Sequence, residues 1–209
     1  VGLPMAFQYS ITAIGTTMVQ MALNTLGSTY VAAFTAASKC EQMAGQAYIA
    51  LGSAMATFAA QNVGAGRYDR VRKGFARATM FGVIFSVVIG LVMYFFGYIV
   101  TGLFVTGDAT QIEGMVDTYM KYTALFLIPL TVVNVYRNGI QGMGYGLLPM
   151  TAGIAELVGR GSVALIAIHY HSYAGVGLAS PMAWILASAL LLTMYFAIMK
   201  KHPMPKKNY

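Results

Sequence analysis

Only 9% of the 209 residues are charged, against 58% hydrophobic, and the mean hydropathy is +0.66. Soluble domains carry about a quarter charged residues, and a fold this small could not hide so much apolar surface from water, so the composition excludes a soluble globular protein and points to an integral membrane one. A single cysteine, Cys40, excludes an intramolecular disulfide, and 13 Lys+Arg against 6 Asp+Glu leave a net charge of +7.

A membrane span needs about 20 mostly apolar residues and tolerates few charges. On that criterion the chain divides into six transmembrane helices, an all-α polytopic bundle, over about 1–25, 30–62, 71–106, 110–141, 146–169 and 175–199, with a basic tail at 200–209. Val1 is not followed by the basic region of a signal peptide. A chain that starts without Met and almost at once inside a helix reads as a fragment, or as one half of something larger.

The first span carries Gln8, Thr12, Thr16, Gln20 and Asn24 at intervals of four, a polar stripe that turns only about 40° per step round a helix. A break at 24–29 separates it from the second span, which repeats the device with Lys39, Gln42, Gln46, Ser53, Thr57 and Gln61. Lipid offers polar groups no partners, so such stripes either line a water-filled path or stitch helices together. Two adjacent striped helices favour the path. Lys39 and Glu41 lie deep in the second span, where an unpaired charge costs about 2.5 kcal/mol or more. At a separation of two they do not share a face, so each needs a partner on another helix, either as part of the path or as a structural ion pair.

The third span is uncharged from Ala78 to Gly107, and its Gly82, Ser86 and Gly90 read as a close-packing face. Pro129 interrupts the fourth span and is expected to bend it. At its outer entry Glu113, Asp117 and Lys121 form a four-spaced ladder of ion pairs. Glu156 and Arg160 sit inside the fifth span in the favourable order for a pair on one helix face. A turn at 169–175 leads to the sixth span, where Ala179, Ala183 and Ala187 repeat the small-residue spacing near Pro181.

Ten of the 13 cations then fall on one side: Arg67, Arg70, Arg72, Lys73 and Arg77 after span two, Arg137 at the end of span four, and Lys200, Lys201, Lys206 and Lys207 after span six. Asp108, Glu113 and Asp117 flank the other side. By the positive-inside rule both ends of the chain are expected on the cytoplasmic side of the membrane. Topology accounts for the basic excess, and no nucleic-acid module accompanies it. His169 and His171 lack a third ligand for a metal, and 142–146 (GMGYG) lacks the strand and lysine of a phosphate loop. With no catalytic motif in a credible context, neither an enzyme nor a bound cofactor or metal is expected.

The stretch ATFAAQNVGAGRYDRVRKG at 56–74, preceded by AAFTAASKCEQM at 32–43, resembles the seventh-to-eighth helix region of bacterial multidrug and toxic compound extrusion (MATE) transporters. YRNGIQGMGYGLLPMTAGIAELVGR at 136–160 resembles the junction of their tenth and eleventh helices. The resemblance implies the C-terminal six-helix lobe of a twelve-helix antiporter, which exports cationic or amphipathic organic molecules by alternating access on a proton or sodium gradient. It also implies an N-terminal lobe as partner, surrounding membrane lipid, and a translocation wall drawn from Gln8, Thr12, Thr16, Gln20, Asn24, Lys39, Gln42 and Gln46. Where some family members carry coupling acids, the matching spans carry Gln8, Gln20 and Asn24 in one and Asn134 and Asn138 in the other, which leaves Glu41 and Glu156 here, or the other lobe, as the seat of ion coupling. Two other readings stay open: a lipid-linked oligosaccharide or polysaccharide flippase of the same superfamily, and a membrane scaffold without transport.

Overall fold

The computed structural model describes residues 2–104 and 110–202, which form helices and turns with no strand among them. Asp108, Lys206 and Lys207 lie outside the described residues, as does most of the basic tail. Seven helices follow in order: α1 (Gly2–Leu26), α2 (Ser28–Gly64), α3 (Tyr68–Phe104), α4 (Thr110–Leu125), α5 (Leu127–Gly142), α6 (Leu147–His169) and α7 (Tyr173–Lys201).

The count is seven because the expected fourth span is two helices. Pro129 has no N–H to donate to the Leu125 carbonyl, so the regular ladder cannot run through this point. Phe126 leaves helical geometry at φ −114°, ψ 17°, its N–H bonding Thr123 O at 3.0 Å instead. α4 and α5 have 16 residues each, too short to cross a bilayer singly, and together make one pass. Pro181, in contrast, lies inside a continuous α7.

Among the described residues three stretches are long and apolar enough to span a membrane by composition alone: Tyr68–Gly97 of α3, α6 and α7. The outer face of α3 exposes Phe81, Ile84, Val88, Leu91 and Phe95 at steps of three and four, a surface suited to lipid. Its opposite face carries the small-residue spacing and packs closely. The Ser86 hydroxyl reaches Thr131 Oγ1 at 2.8 Å, Leu127 O at 3.1 Å and Tyr48 Oη at 3.1 Å, joining α3 to α5 and α2. Ala179, Ala183 and Ala187 are fully buried, and a Cβ on Gly159 would come within 3.2 Å of Ala183 Cα, so α6 and α7 meet nearly backbone to backbone. A Cβ on Gly142 would collide with the backbone of Ala56, which seats α5 on α2 just as tightly.

The chain reverses by one device three times. After α2, Gly66 takes φ 68° while Arg67 N bonds Asn62 O at 2.8 Å and Gly66 N bonds Val63 O at 2.9 Å, the paired bonds that satisfy a helix's last carbonyls. Gly144 repeats this after α5, which is what the glycine-rich 142–146 segment is for. His171 repeats it after α6 at φ 46°, and the Ser172 hydroxyl then caps α7 by accepting from Gly175 N at 3.2 Å. At the same end of the bundle as the first reversal, Arg72 donates to Met199 O at 2.5 Å and His202 O at 3.1 Å, closing α7's open carbonyls from α3. The Tyr68 and His202 rings stack there at 4.0 Å.

Candidate functional site

α1 packs chiefly on α6 and α2 chiefly on α5, while α1 and α2 touch little after they part at Gly27. Between them opens a cleft of about 600 Å³ whose floor is made by α5 and α6. Thr12, Thr16 and Gln20 line it from α1, and Ser38, Glu41, Gln42 and Gln46 from α2. Asn134 and Arg137 of α5, Glu156 and Arg160 of α6, Tyr119 of α4 and Trp184 of α7 complete it.

The four-residue spacing thus marks a real face, and the hydrogen bonds show that it is not an adhesive one. Thr12 Oγ1 donates to Gln8 O at 3.0 Å and Thr16 Oγ1 to Ala13 O at 2.8 Å, both within their own helix. Gln20 Nε2 bonds Asn24 Oδ1 at 3.1 Å, again within α1. Within the α1 stripe, stitching among the described residues is confined to Gln8, which is buried outside the cleft and accepts from Gln141 Nε2 at 2.9 Å. Asn24 and Lys39 are exposed and neither lines the cleft. Lys39 stands one position past Ser38, at the edge of the lining face. Ser53, Thr57 and Gln61 continue along α2 on exposed positions beyond the cleft.

The charges are arranged differently from their sequence spacing. Glu156 does not pair with Arg160 four residues on. Its Oε1 meets Arg137 Nη2 at 2.5 Å, Glu156 buried and Arg137 half-buried, so the pair bridges α5 and α6. Arg137 is therefore drawn into the bundle and leaves the set of cations that mark one membrane face. Arg160 is also buried, and its Nε and Nη1 find no hydrogen-bond partner among the described residues. It lies against α1 where Gly15 leaves room, a Cβ there standing 3.3 Å from Nη1.

Glu41 accepts a hydrogen bond from Tyr119 Oη across the α2–α4 contact and feels the positive field of Arg160. It is the cleft carboxylate that has no salt bridge among the described residues. Sequence reasoning missed Tyr119 altogether: one tyrosine among 14 carries no signal until α4 is laid on α2. Farther out, the expected ladder on α4 is one bridge, Lys121 Nζ to Asp117 Oδ2 at 2.6 Å, with Lys121 also 5.6 Å above the Tyr94 ring. No group of three His, Cys, Asp or Glu suited to a metal occurs among the described residues.

The family model described as MatE matches residues 4–166. The chain belongs to the MatE family. No curated protein matches it by sequence. Solved MATE structures carry the same fold. An outward-facing multidrug resistance MATE family transporter of the MOP superfamily superposes with TM-score 0.90 at 18% identity, covering 98% of this chain and 46% of the other. A MATE solved in complex with MaL6 gives 0.88 at 20%, covering 96% and 46%. A MOP superfamily transporter from Pyrococcus furiosus, for which reverse polarity of the binding pocket was taken to suggest a different function, gives 0.89 at 18%, covering 98% and 46%. This MatE chain is thus a multi-pass membrane protein with a transporter fold, spanning about half the length of the solved transporters and corresponding to one of their two lobes.

Proposed function

We propose that this chain is the C-terminal lobe of a cation-coupled exporter of cationic or amphipathic organic molecules. In this reading the α1–α2 cleft is one wall of a chamber that opens alternately to the two sides of a bacterial inner membrane. The observation that carries it is the open polar face itself: Thr16, Gln20, Gln42 and Gln46 are exposed along two helices that must lie in a bilayer. Hydrocarbon cannot solvate them, so the face needs water and a second wall. The other half of a two-lobe transporter supplies that wall, and the cations at the ends of α2, α3 and α7 set both termini of this lobe in the cytoplasm.

Glu41 is the seat of coupling in this proposal. A carboxylate without a salt bridge among the described residues, held by one tyrosine hydroxyl and the field of Arg160, can exchange its charge by taking up a proton or a sodium ion. Glu156 cannot do so without stranding Arg137. The test uses the complete two-lobe protein in proteoliposomes loaded with a fluorescent organic cation. Efflux should follow an imposed proton or sodium gradient, the effective one naming the coupling ion, and Glu41→Gln should abolish the gradient dependence while substrate still binds. Gradient-driven efflux unchanged in Glu41→Gln would remove Glu41 from the scheme.

Arg160 gives the flippase reading its one foothold, since an unbonded guanidinium could meet a pyrophosphate. The cleft's two arginines are matched by two carboxylates, however, and offer no net positive charge to an anionic headgroup. A passive scaffold has no use for an open polar face.

A further inference from the structure

A second hollow of about 720 Å³ lies between α2 and α3 at the basic end of the bundle, on the outer surface and apart from the cleft. Its mouth is lined by Arg67, just before α3, and by Arg70, Lys73 and Arg77 of α3. Arg67 is already answered, its Nε and Nη2 each 2.9 Å from the Asp69 carboxylate. Arg70, Lys73 and Arg77 stand at i, i+3 and i+7, on one helix face, and their side chains make no ion pair or hydrogen bond among the described residues. Three unanswered cations aimed along one groove are costly in mutual repulsion and would be relieved by an anion.

The exposed Phe58 stands level with Gly74, and past Arg77 the same groove turns apolar, lined by Leu51, Ala78 and the exposed Phe81. The Tyr68–Gly97 stretch of α3 is the most apolar of the three candidate spans among the described residues, with mean hydropathy 2.3. The groove therefore has a cationic end at the depth of headgroups and an aromatic, aliphatic continuation at the depth of acyl chains. Gly74 shapes its floor, since any Cβ there would collide with the Phe58 ring, which packs against α3 at this point. A soluble anion would use the mouth and leave the apolar part empty; a neutral lipid would do the reverse. We infer that this groove is a binding site for an anionic phospholipid, its phosphate held by Arg70, Lys73 and Arg77 and one acyl chain laid between Phe58 and Phe81.

The test measures displacement of a fluorescent phosphatidylglycerol from the complete protein in neutral maltoside micelles. Each cation removed should weaken binding roughly fivefold, and the triple change Arg70→Gln, Lys73→Gln, Arg77→Gln about a hundredfold. Phosphatidylcholine should compete poorly, and excess inorganic phosphate should not displace the lipid. Lys200→Gln with Lys201→Gln, on α7 outside the groove, should leave affinity unchanged. The charge-preserving Arg70→Lys, Arg77→Lys pair should retain binding, and if the triple variant fails to fold the single Arg77→Gln reads the same effect. Affinity that ignores these changes, falls equally on loss of Lys200 and Lys201, is matched by phosphatidylcholine, or yields to inorganic phosphate would overturn the inference.

Discussion

Glu156 stands four residues before Arg160 and bonds Arg137 instead, and that choice is what a single side chain contributes to the floor of the cleft. Removing one partner strands the other charge, at up to about 3–5 kcal/mol where that charge is fully buried. Glu156→Gln should therefore lower the thermal midpoint in detergent sharply, and Arg137→Met combined with Glu156→Leu should recover most of the loss, because the double change leaves no orphan. Equal melting of the single and double variants would show that the pair is not a structural bridge. Individual residues were legible where a period marked them: a spacing of four found Thr12, Thr16 and Gln20, because on a helix it is a direction in space. The same rule misled for Glu156 and Arg160. Intrahelical spacing states which pairs can meet, and α5 offered a closer guanidinium that no local pattern announces. Gln8 obeyed the spacing too, but near the start of α1 the face turns from open cleft to helix contact with Gln141.

At the scale of helices, glycine separates contacts that are fixed from those that are free. Gly142→Ala should destabilise by about 1–3 kcal/mol, since the new methyl meets the backbone of Ala56, which cannot rotate aside. Gly114→Ala should do the opposite on α4, gaining about 0.4–1 kcal/mol, because nothing lies within 4 Å of its Cβ position and the unfolded chain loses freedom. Thermal melts of the two variants side by side check both signs. Most elements were legible because uncharged length and small-residue spacing are strong signals in a membrane protein. The break at Phe126 was visible only as a proline expected to bend a helix. That it ends one helix and starts another depends on the missing Pro129 donor coinciding with a residue able to leave helical geometry. Arg72 shows the converse: its charge was read as topology, and only the return of α7 to the same end reveals a cap on Met199 O and His202 O.

For the whole molecule, the open face predicts a pattern of solvent access. In a Cys40→Ser background, single cysteines at Thr12, Thr16 and Gln46 should react with a membrane-impermeant thiol reagent, whereas Phe95→Cys on the lipid face of α3 should not. Protection of all three cleft positions in every state of the complete transporter would leave the cleft without water. The order of assembly follows from the same architecture. Gln8 finds its partner 133 positions later in the chain, and α1 rests on α6 rather than on its neighbour in sequence. At about 5–20 residues per second, a ribosome needs roughly 7–27 s to bridge that gap. Through that interval the first helix has left the ribosome with its amide unmatched and its supporting wall unmade, so the membrane-insertion machinery must shelter a striped, half-polar helix until the last third of the chain arrives.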